Sequence, residues 1–419
     1  MTYEEALEYI HAVSRAGSRP GLERITELCA LAKNPQKKLC IVHVAGTNGK
    51  GSFCAMLSSV LQKARQRVGT FTSPFVYRFN ERIAVNGKPI SDGELADIIG
   101  RLKPLCDSME DTPTEFELLT AAGLLYFAEK ACDVVVLEVG LGGRLDSTNV
   151  IDAPRLAVIS GIALDHTAIL GDTAEAIAAE KAGIIKPGST VLCGVMSKGA
   201  EDVIRARAQA AGDDFYVMRP NDTKNAHFSL DGCTFKYKNC AEPFALSLCG
   251  TYQPANASLV IRAAELLNID EKYIRSGLAA ARWPARFEVL HRSPTVIFDG
   301  GHNPQGVDAA VESAKAVFGG KYIILTGVMA DKDYRTMART VSKIAAQVVC
   351  THPDNPRALD AEALAECYRS TGTAAHAESD VESAVKKAFA LAKEKGLPLL
   401  CLGSLYMYRQ VRDALDMCE

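Results

Sequence analysis

The stretch Ile41-Val-His-Val-Ala-Gly-Thr-Asn-Gly-Lys-Gly-Ser52 passes from a short apolar run into a glycine-rich turn that carries one lysine and ends on a hydroxyl. The residues that follow, Phe53-Cys-Ala-Met-Leu-Ser-Ser-Val-Leu-Gln62, read as a helix. Strand, glycine turn, lysine and helix start together make an anion cradle. Gly46, Gly49 and Gly51 let backbone N–H groups come close to an anion. The helix start adds its positive end and Lys50 a full charge, so the pattern points to a nucleotide triphosphate. The strict phosphate-loop pattern G-x-x-x-x-G-K-[ST] is not met. Its first glycine would fall on Val44, and the hydroxyl is delayed from position 51, a glycine, to Ser52. The dinucleotide pattern G-x-G-x-x-G fails too, since Gly49 and Gly51 are followed by Cys54. A plain glycine turn between strand and helix is the alternative at this point.

Working outward, the 419 residues leave room for two domains. An apolar fraction of 48% and a charged fraction of 23% are ordinary for a globular protein. A net charge of −3 gives no reason to expect nucleic acid or an anionic membrane as partner. The opening Met-Thr-Tyr-Glu-Glu-Ala-Leu-Glu-Tyr-Ile is acidic and amphipathic, unlike a signal peptide. No apolar run is long enough to cross a bilayer. The 13 cysteines are an odd number with no C-x-x-C pair, which argues for reduced, mostly buried thiols in a cytoplasm.

Strand-like runs alternate with helical periodicity along nearly the whole chain, the mark of a parallel α/β sheet wrapped by helices. Strands are expected at Cys40–Ala45, Val68–Thr72, Asp133–Val139, Arg155–Ser160 and Thr190–Gly194, and helices at Ser91–Leu105, Thr114–Lys130 and Ala174–Ile184. Between Phe215 and Leu248 the pattern changes to short alternating strands (His227–Leu230, Thr234–Tyr237, Phe244–Leu248), read as a small antiparallel insert or edge. Helices resume at Gln253–Leu267 and Glu271–Ala281. A second α/β series has strands at Val296–Asp299, Tyr322–Leu325, Gln347–Cys350 and Leu399–Leu402. Its helices are expected at Gln305–Phe318, Tyr334–Ala346, Ala361–Ser370 and Ser379–Lys395. The polar, proline-containing patch His291-Arg-Ser-Pro294 marks the expected hinge, giving domains 1–292 and 293–419.

Several strand ends carry polar residues. Asp133-Val-Val-Val-Leu-Glu-Val-Gly140 places Glu138 near the end of a buried strand, where a carboxylate needs a cation or an ion-pair partner. Ile159-Ser-Gly-Ile-Ala-Leu-Asp-His166 ends on His166, a metal ligand or a satisfied core histidine. Ser73 follows a strand in Phe71-Thr-Ser-Pro-Phe75, and Asp299-Gly-Gly-His-Asn-Pro304 is a polar turn at another strand end. Ligands of open α/β sheets collect at such ends. Because parallel strands end on one edge, Lys50, Ser73, Glu138 and His166 are expected to be neighbours around a nucleotide and Mg²⁺, whose oxygen-rich shell accepts phosphates and water.

Gly-Thr-Asn-Gly-Lys-Gly-Ser at 46–52 resembles the phosphate loop of the ATP-dependent Mur ligase superfamily, in the form used by folylpolyglutamate synthase and dihydrofolate synthase. Further segments agree in order: Phe71-Thr-Ser-Pro74, Phe79-Asn-Glu-Arg-Ile83, Thr114-Glu-Phe-Glu117, Glu138-Val-Gly-Leu-Gly-Gly-Arg-Leu-Asp146, Asp165-His166, Glu180-Lys-Ala-Gly-Ile-Ile-Lys186, Tyr252-Gln-Pro-Ala-Asn256, Arg282-Trp-Pro-Ala-Arg-Phe-Glu288, Asp299-Gly-Gly-His-Asn-Pro304 and Gly403-Ser-Leu-Tyr406. The resemblance spans nearly the whole chain. It implies a phosphate-loop ATPase domain with a mostly parallel sheet and small antiparallel insert, followed by a smaller Rossmann-like glutamate-ligase domain. It also implies that Gly46, Thr47, Asn48, Gly49, Lys50, Gly51 and Ser52 hold ATP phosphates. Ser73 with Glu138 would hold one Mg²⁺, and Glu138 with His166 a second. Lys181 matches a lysine that becomes carbamylated in the superfamily; by its residue type and place alone it is only a cation on a helix. Asn256, Arg286, Asp299 and His302 match positions that contact ATP. Phe75 stands where many relatives have histidine, which leaves the contacts to a pterin there open.

The activity so implied is addition of L-glutamate to folates through an acyl phosphate, with dihydropteroate as a second acceptor in the bifunctional form frequent in bacteria. Such a ligase is expected to be a monomer handling small molecules, with two domains that close to keep water off the acyl phosphate. A monofunctional folylpolyglutamate synthase is the nearest alternative. A cell-wall Mur ligase fits less well, because only about 45 residues precede the loop, fewer than a typical domain of roughly 100. A phosphate-loop kinase or GTPase would not need the Asp299–Asn303 cluster, and a non-enzymatic nucleotide binder would not need metal ligands.

Overall fold

The computed structural model describes residues 1–13 and 20–418. The chain divides into two units, Met1–Thr223 with Ala255–Ala281, and Lys224–Pro254 with Arg282–Glu419.

In the first unit the β-branched runs form a sheet of eight strands. They are β1 (Ile41–Ala45), β2 (Val68–Phe71), β3 (Ile83–Val85), β4 (Lys88–Pro89), β5 (Val134–Glu138), β6 (Leu156–Ile159), β7 (Thr190–Cys193) and β8 (Asp214–Val217). Their order is β4-β3-β2-β5-β1-β6-β7-β8. All pairs from β2 to β8 are parallel, while β3 and β4 add an antiparallel edge. Every residue of β1 and β5 is buried, as continuous apolar runs covered on both faces require. The chain leaves β1 toward β2 and β5 on one side and returns through β6 on the other, so the switch point of the topology lies at β1.

One face is packed by the helices Tyr3–Val13, Glu23–Leu31, Asp92–Asp107 and Glu115–Glu129, which bury Ile10, Ile25, Leu28, Ile99, Leu119 and Phe127 with Phe71 and Val135. Glu117 serves twice there. It caps its own helix at Thr114 N (2.7 Å) and pairs with the buried Arg24 (3.0 Å), which pins Glu23–Leu31 to Glu115–Glu129. Helix Lys50–Lys63 lies against helix Glu271–Ala280. A Cβ on Gly277 would stand 2.4 Å from Val60 Cα, and Ser59 Oγ donates to Gly277 O at 2.7 Å.

The second unit contains a three-stranded antiparallel sheet, β9 (Thr223–Ser229), β10 (Gly232–Tyr237) and β11 (Phe244–Leu246), in the order β11-β10-β9. Its main sheet comprises β12 (Glu288–Arg292), β13 (Thr295–Asp299), β14 (Tyr322–Thr326), β15 (Ala345–Thr351), β16 (Ala375–Glu378) and β17 (Leu399–Leu402), in the order β12-β13-β17-β14-β15-β16. Only the β12–β13 pair is antiparallel.

The expected insert is therefore present, but the units divide differently from 292/293. Residues Lys224–Pro254 group with the second unit because Cys249 is buried in its core beside Phe287, Ile297 and Val311, and because Thr251 N donates to Ser313 Oγ at 2.9 Å. Ser293-Pro294 is not a linker; it is the tight turn of the β12–β13 hairpin, closed by the Arg292–Thr295 pair. The helix expected to reach Ala346 stops at Ser342, since Ala345 already begins β15 beside Tyr322.

Candidate active site

The register of the first sheet sets Val44 opposite Glu138, Ala45 opposite Ile159 and Phe71 opposite Leu137. The segments leaving β2, β5, β1 and β6 thus emerge side by side, about 5 Å apart. The glycine loop after β1 is tied to the exit of β6. Thr47 N donates to Gly161 O (2.8 Å), Ser160 Oγ to Asn48 O (2.7 Å) and Ala163 N to Thr47 Oγ1 (3.1 Å). Gly46 is obligatory in this seat, because an added Cβ would fall 2.0 Å from Ser160 Oγ. Gly49 takes φ 86° as the N-cap of helix Lys50–Lys63, and a Cβ there would stand 2.7 Å from Asn256 Oδ1. Asn256, on helix Gln253–Leu266, therefore lies directly against the loop. Gly51 and Ser52 occupy the first turn of Lys50–Lys63, with Ser52 buried.

Two ammonium groups meet on one carbonyl. Lys50 Nζ donates to Gly46 O at 3.1 Å, and Lys181 Nζ to the same oxygen at 3.0 Å. Lys181 ends the helix Ala174–Lys181 and is 4% exposed. Burial, reinforced by the charge of Lys50, lowers its pKa to about 7, while Asp165 and Asp146 oppose the shift. The Gly140–Asp146 loop packs on the end of that helix through Arg144 N and Glu180 O (2.8 Å); a Cβ on Gly143 would come within 2.8 Å of Glu180 O. The buried Asp146 carboxylate shapes this loop from inside. It accepts from Leu141 N (2.8 Å) and from Thr148 N and Oγ1 (3.0 and 2.5 Å), and Thr148 Oγ1 lies 2.9 Å from His43 Nε2. Burial holds His43 neutral, with its pKa down at about 3.

Glu138 is 3% exposed at the end of β5, and its Oε2 accepts from Ser73 N at 3.2 Å. This pair offers oxygen donors of the kind Mg²⁺ takes when phosphates and water complete its shell. His166 stands before the short helix Thr167–Leu170 in a left-handed conformation (φ 50°), half exposed, with Nε2 4.0 Å from Asp165 Oδ1. Among the described residues no group of three or more His, Cys, Asp or Glu side chains is arranged to hold a metal ion. A Mg²⁺ here would draw most of its shell from ligand and water, as that ion commonly does.

Arg286, Asp299 and His302 form a second constellation, in the other unit. Asp299 ends β13 with its carboxylate turned inward. Oδ2 accepts from Tyr252 Oη (2.7 Å) and Phe287 N (2.9 Å), and Oδ1 from Gly301 N (2.7 Å). Burial raises its pKa, against the nearby Arg286 charge. His302 Nδ1 lies 2.9 Å from Gly300 O, and Asn303 caps helix Pro304–Phe318 by accepting from Gly306 N. Arg286 Nη1 approaches so closely that a Cβ on Gly300 would stand 2.2 Å from it.

His43, Asp146, Thr148, Ser160 and Tyr252 were not singled out as site residues from the sequence. One signal was available for His43, the only polar residue in an otherwise apolar buried strand. A polar cavity of about 590 Å³, lined by Gln62, Arg65, Gln66, Arg67, Asn86 and Asp133 among others, opens at the opposite edge of the first sheet and shares no residue with these groups.

Residues 44–264 match the Mur ligase middle domain, and residues 285–405 the Mur ligase glutamate ligase domain. The dihydrofolate synthase/folylpolyglutamate synthase of Bacillus subtilis (strain 168) is 40% identical, with 99% of each chain covered. The folylpolyglutamate synthase of Lacticaseibacillus casei is 34% identical over 99% of each. The structure of Mycobacterium tuberculosis folylpolyglutamate synthase complexed with ADP and AMPPCP superposes with a TM-score of 0.91 at 29% identity, covering 98% of both chains. With its glycine loop seated at the sheet's switch point and both ligase domains matched in order, the chain belongs to the folylpolyglutamate synthase/dihydrofolate synthase family of Mur ligases.

Proposed function

We propose that this protein is an ATP-dependent acid–amino-acid ligase that adds L-glutamate to folates and, as the bifunctional form, to dihydropteroate. The observation that carries this reading is the glycine loop of β1, where Lys50 and Lys181 converge on Gly46 O beside the Glu138–Ser73 pair. A fixed cluster of cations and backbone N–H groups suits a transferred phosphoryl group, whose chemistry needs charge stabilisation and positioning more than covalent help.

The N–H groups of residues 46–52 and the Ser52 hydroxyl cradle the phosphates, and Lys50 neutralises them from the loop. Asn256 closes the loop from helix Gln253–Leu266. The folate or pteroate carboxylate attacks the γ-phosphate of ATP, giving ADP and an acyl phosphate. The amine of L-glutamate then attacks the acyl carbon and expels phosphate. Glu138 and Ser73 would hold a Mg²⁺, with Glu138 and His166 at a second; when bound, the ions supply charge neutralisation at the phosphate oxygens. Lys181 has a share of neutral amine near pH 7, the form that takes up CO₂ as a carbamate. Arg286, Asp299 and His302 would contact ATP, and the Asp299 carboxylate also holds the loops of the other two in shape. The protein acts as a monomer, and in the cytoplasm, a compartment in which its thirteen unpaired thiols stay reduced.

Phosphate release from ATP with L-glutamate, run separately with dihydropteroate and with tetrahydrofolate, tests the reading. Turnover in both arms is expected. Turnover with tetrahydrofolate alone would make the enzyme monofunctional, as the Lacticaseibacillus casei relative is named. Turnover in neither would overturn the assignment.

A further inference from the structure

Arg286 sits between two residues in left-handed backbone, Ala285 at φ 57° and Phe287 at φ 49°. Neither is a residue type that favours this region, and such strain persists only where surrounding contacts over-determine it. Here the contacts come from two carboxylates, Asp299 and Glu288, and one backbone N–H. Phe287 N donates to Asp299 Oδ2 (2.9 Å), Gly300 N donates to Ala285 O (2.8 Å), and Ala285 N donates to Glu288 Oε2 (2.7 Å). Tyr252 Oη completes the node with a bond of 2.7 Å to Asp299 Oδ2. The tyrosine is itself fixed. Thr251 N is bonded to Ser313 Oγ (2.9 Å), and Gly250, at φ 106°, leaves room for the Tyr252 ring and Phe287 Cβ, which lie 3.0 and 3.3 Å from where its own Cβ would be. Tyr252 and Phe287 also flank the points where the chain passes between units, at 254/255 and 281/282.

We propose that Tyr252 is a positioning residue for the ATP-dependent step: through Asp299 its hydroxyl holds the strained Ala285–Phe287 turn, which keeps the Arg286 guanidinium over Gly300. The proposal rests on the reading above in which Arg286 serves ATP. Without the hydroxyl, Asp299 Oδ2 keeps only Phe287 N of these two donors, so the carboxylate can shift and its hold on the left-handed Phe287 loosens. Arg286 then spends less time where the phosphates need it. ATP kinetics are therefore expected to suffer ahead of those of L-glutamate.

The test measures kcat and KM for ATP and for L-glutamate by phosphate release with tetrahydrofolate, on the full chain, for wild type, Tyr252→Phe, Arg286→Ala and the double variant. Tyr252→Phe is expected to lower kcat/KM for ATP about tenfold while KM for L-glutamate stays within about twofold. In the Arg286→Ala background it is expected to add almost nothing, because both changes remove the same interaction. A loss that multiplies in full with that of Arg286→Ala would mean a general structural role and overturn the proposal. So would Arg286→Ala impaired with Tyr252→Phe normal, which leaves the nucleotide reading intact. Wild-type ATP kinetics in Arg286→Ala would overturn that reading, and the proposal with it. Gly300→Ala guards against misfolding of Tyr252→Phe: its new Cβ would lie 2.2 Å from Arg286 Nη1 and 2.3 Å from Leu405 Cδ2, so it displaces the guanidinium, and the Leu405 side chain with it, while the Tyr252–Asp299 bond is in place. It is expected to reproduce the ATP-selective defect, and unchanged ATP kinetics in it would count against Arg286 being held over Gly300.

Discussion

Lys181→Met isolates the cost of burying a second ammonium beside the loop. Lys181 is 4% exposed, donates to a carbonyl that Lys50 already uses, and has a folded-state pKa of about 7 against an ordinary 10.5. A folded pKa below the unfolded one means that the unfolded chain binds the proton more tightly. The cost is fully present below pH 7, where both states are protonated. It is relieved as pH rises from 7 toward 10.5, because the folded protein sheds the proton first. Each pH unit well inside that window is worth about 1.4 kcal/mol. Half-titration at pH 7 trims the first unit, so the step from pH 7 to pH 9 should stabilise wild type over Lys181→Met by about 2 kcal/mol. Methionine keeps the stem and removes the charge, and other titrating groups cancel in the comparison. The assay is urea unfolding of both proteins at several pH values in CO₂-free buffer, since a carbamate would replace the ammonium with an anion. Parallel pH curves for the two proteins would refute the electrostatic account of this lysine.

With ¹³C-bicarbonate at pH 8, wild type should show a carbamate resonance that Lys181→Met lacks; its absence from wild type would leave Lys181 as an amine. Lys50→Ala should lower kcat/KM for ATP about 10²–10³-fold with little loss of unfolding free energy, because the change also removes the charge facing Lys181; retained turnover would contradict the cradle. Glu138→Gln should raise the Mg²⁺ concentration for half-maximal rate about tenfold, as one oxygen donor becomes neutral; an unchanged titration would remove Glu138 from the metal. Gly49→Ala should cost about 1–2 kcal/mol for a left-handed alanine and raise KM for ATP as Asn256 is pushed aside; wild-type values for both would show that the loop can reshape.

The parallel core was legible because a strand buried on both faces must be written as an unbroken apolar run, as Ile41–Ala45 and Val134–Glu138 are. The edges were not. β8 is only partly buried and β3 is three residues long, so neither leaves a periodicity that outweighs its turns. The patch His291-Arg-Ser-Pro294 reads as a hinge for a related reason: a polar, proline-containing patch marks a break, and nothing local distinguishes a linker from the hairpin turn found there. The insert's alternating strands were readable, yet its allegiance to the second unit depends on long-range packing of Cys249 beside Phe287 and Val311, which no local pattern encodes.

The site divides along the same line. Residues whose type announces chemistry at a strand end, such as Lys50, Glu138 and Asp299, could be chosen from sequence. What each does depends on partners that are mostly backbone atoms, and backbone atoms have no sequence signature. Gly46 O gathers two lysines, Ser73 N fixes Glu138, and Phe287 N with Gly301 N takes up Asp299. Asp299 shows the consequence. Its motif marks it as a residue facing nucleotide, and the fold makes it a buried acceptor for three protein donors; on the proposal above its influence on ATP passes through the turn it holds. The strain at Ala285 and Phe287 is hidden for the same reason, since left-handed backbone in alanine or phenylalanine is imposed by tertiary contacts and not by residue type. On the proposal above, a mutational survey that stopped at Asp299 would therefore credit it alone with an effect that Tyr252 shares.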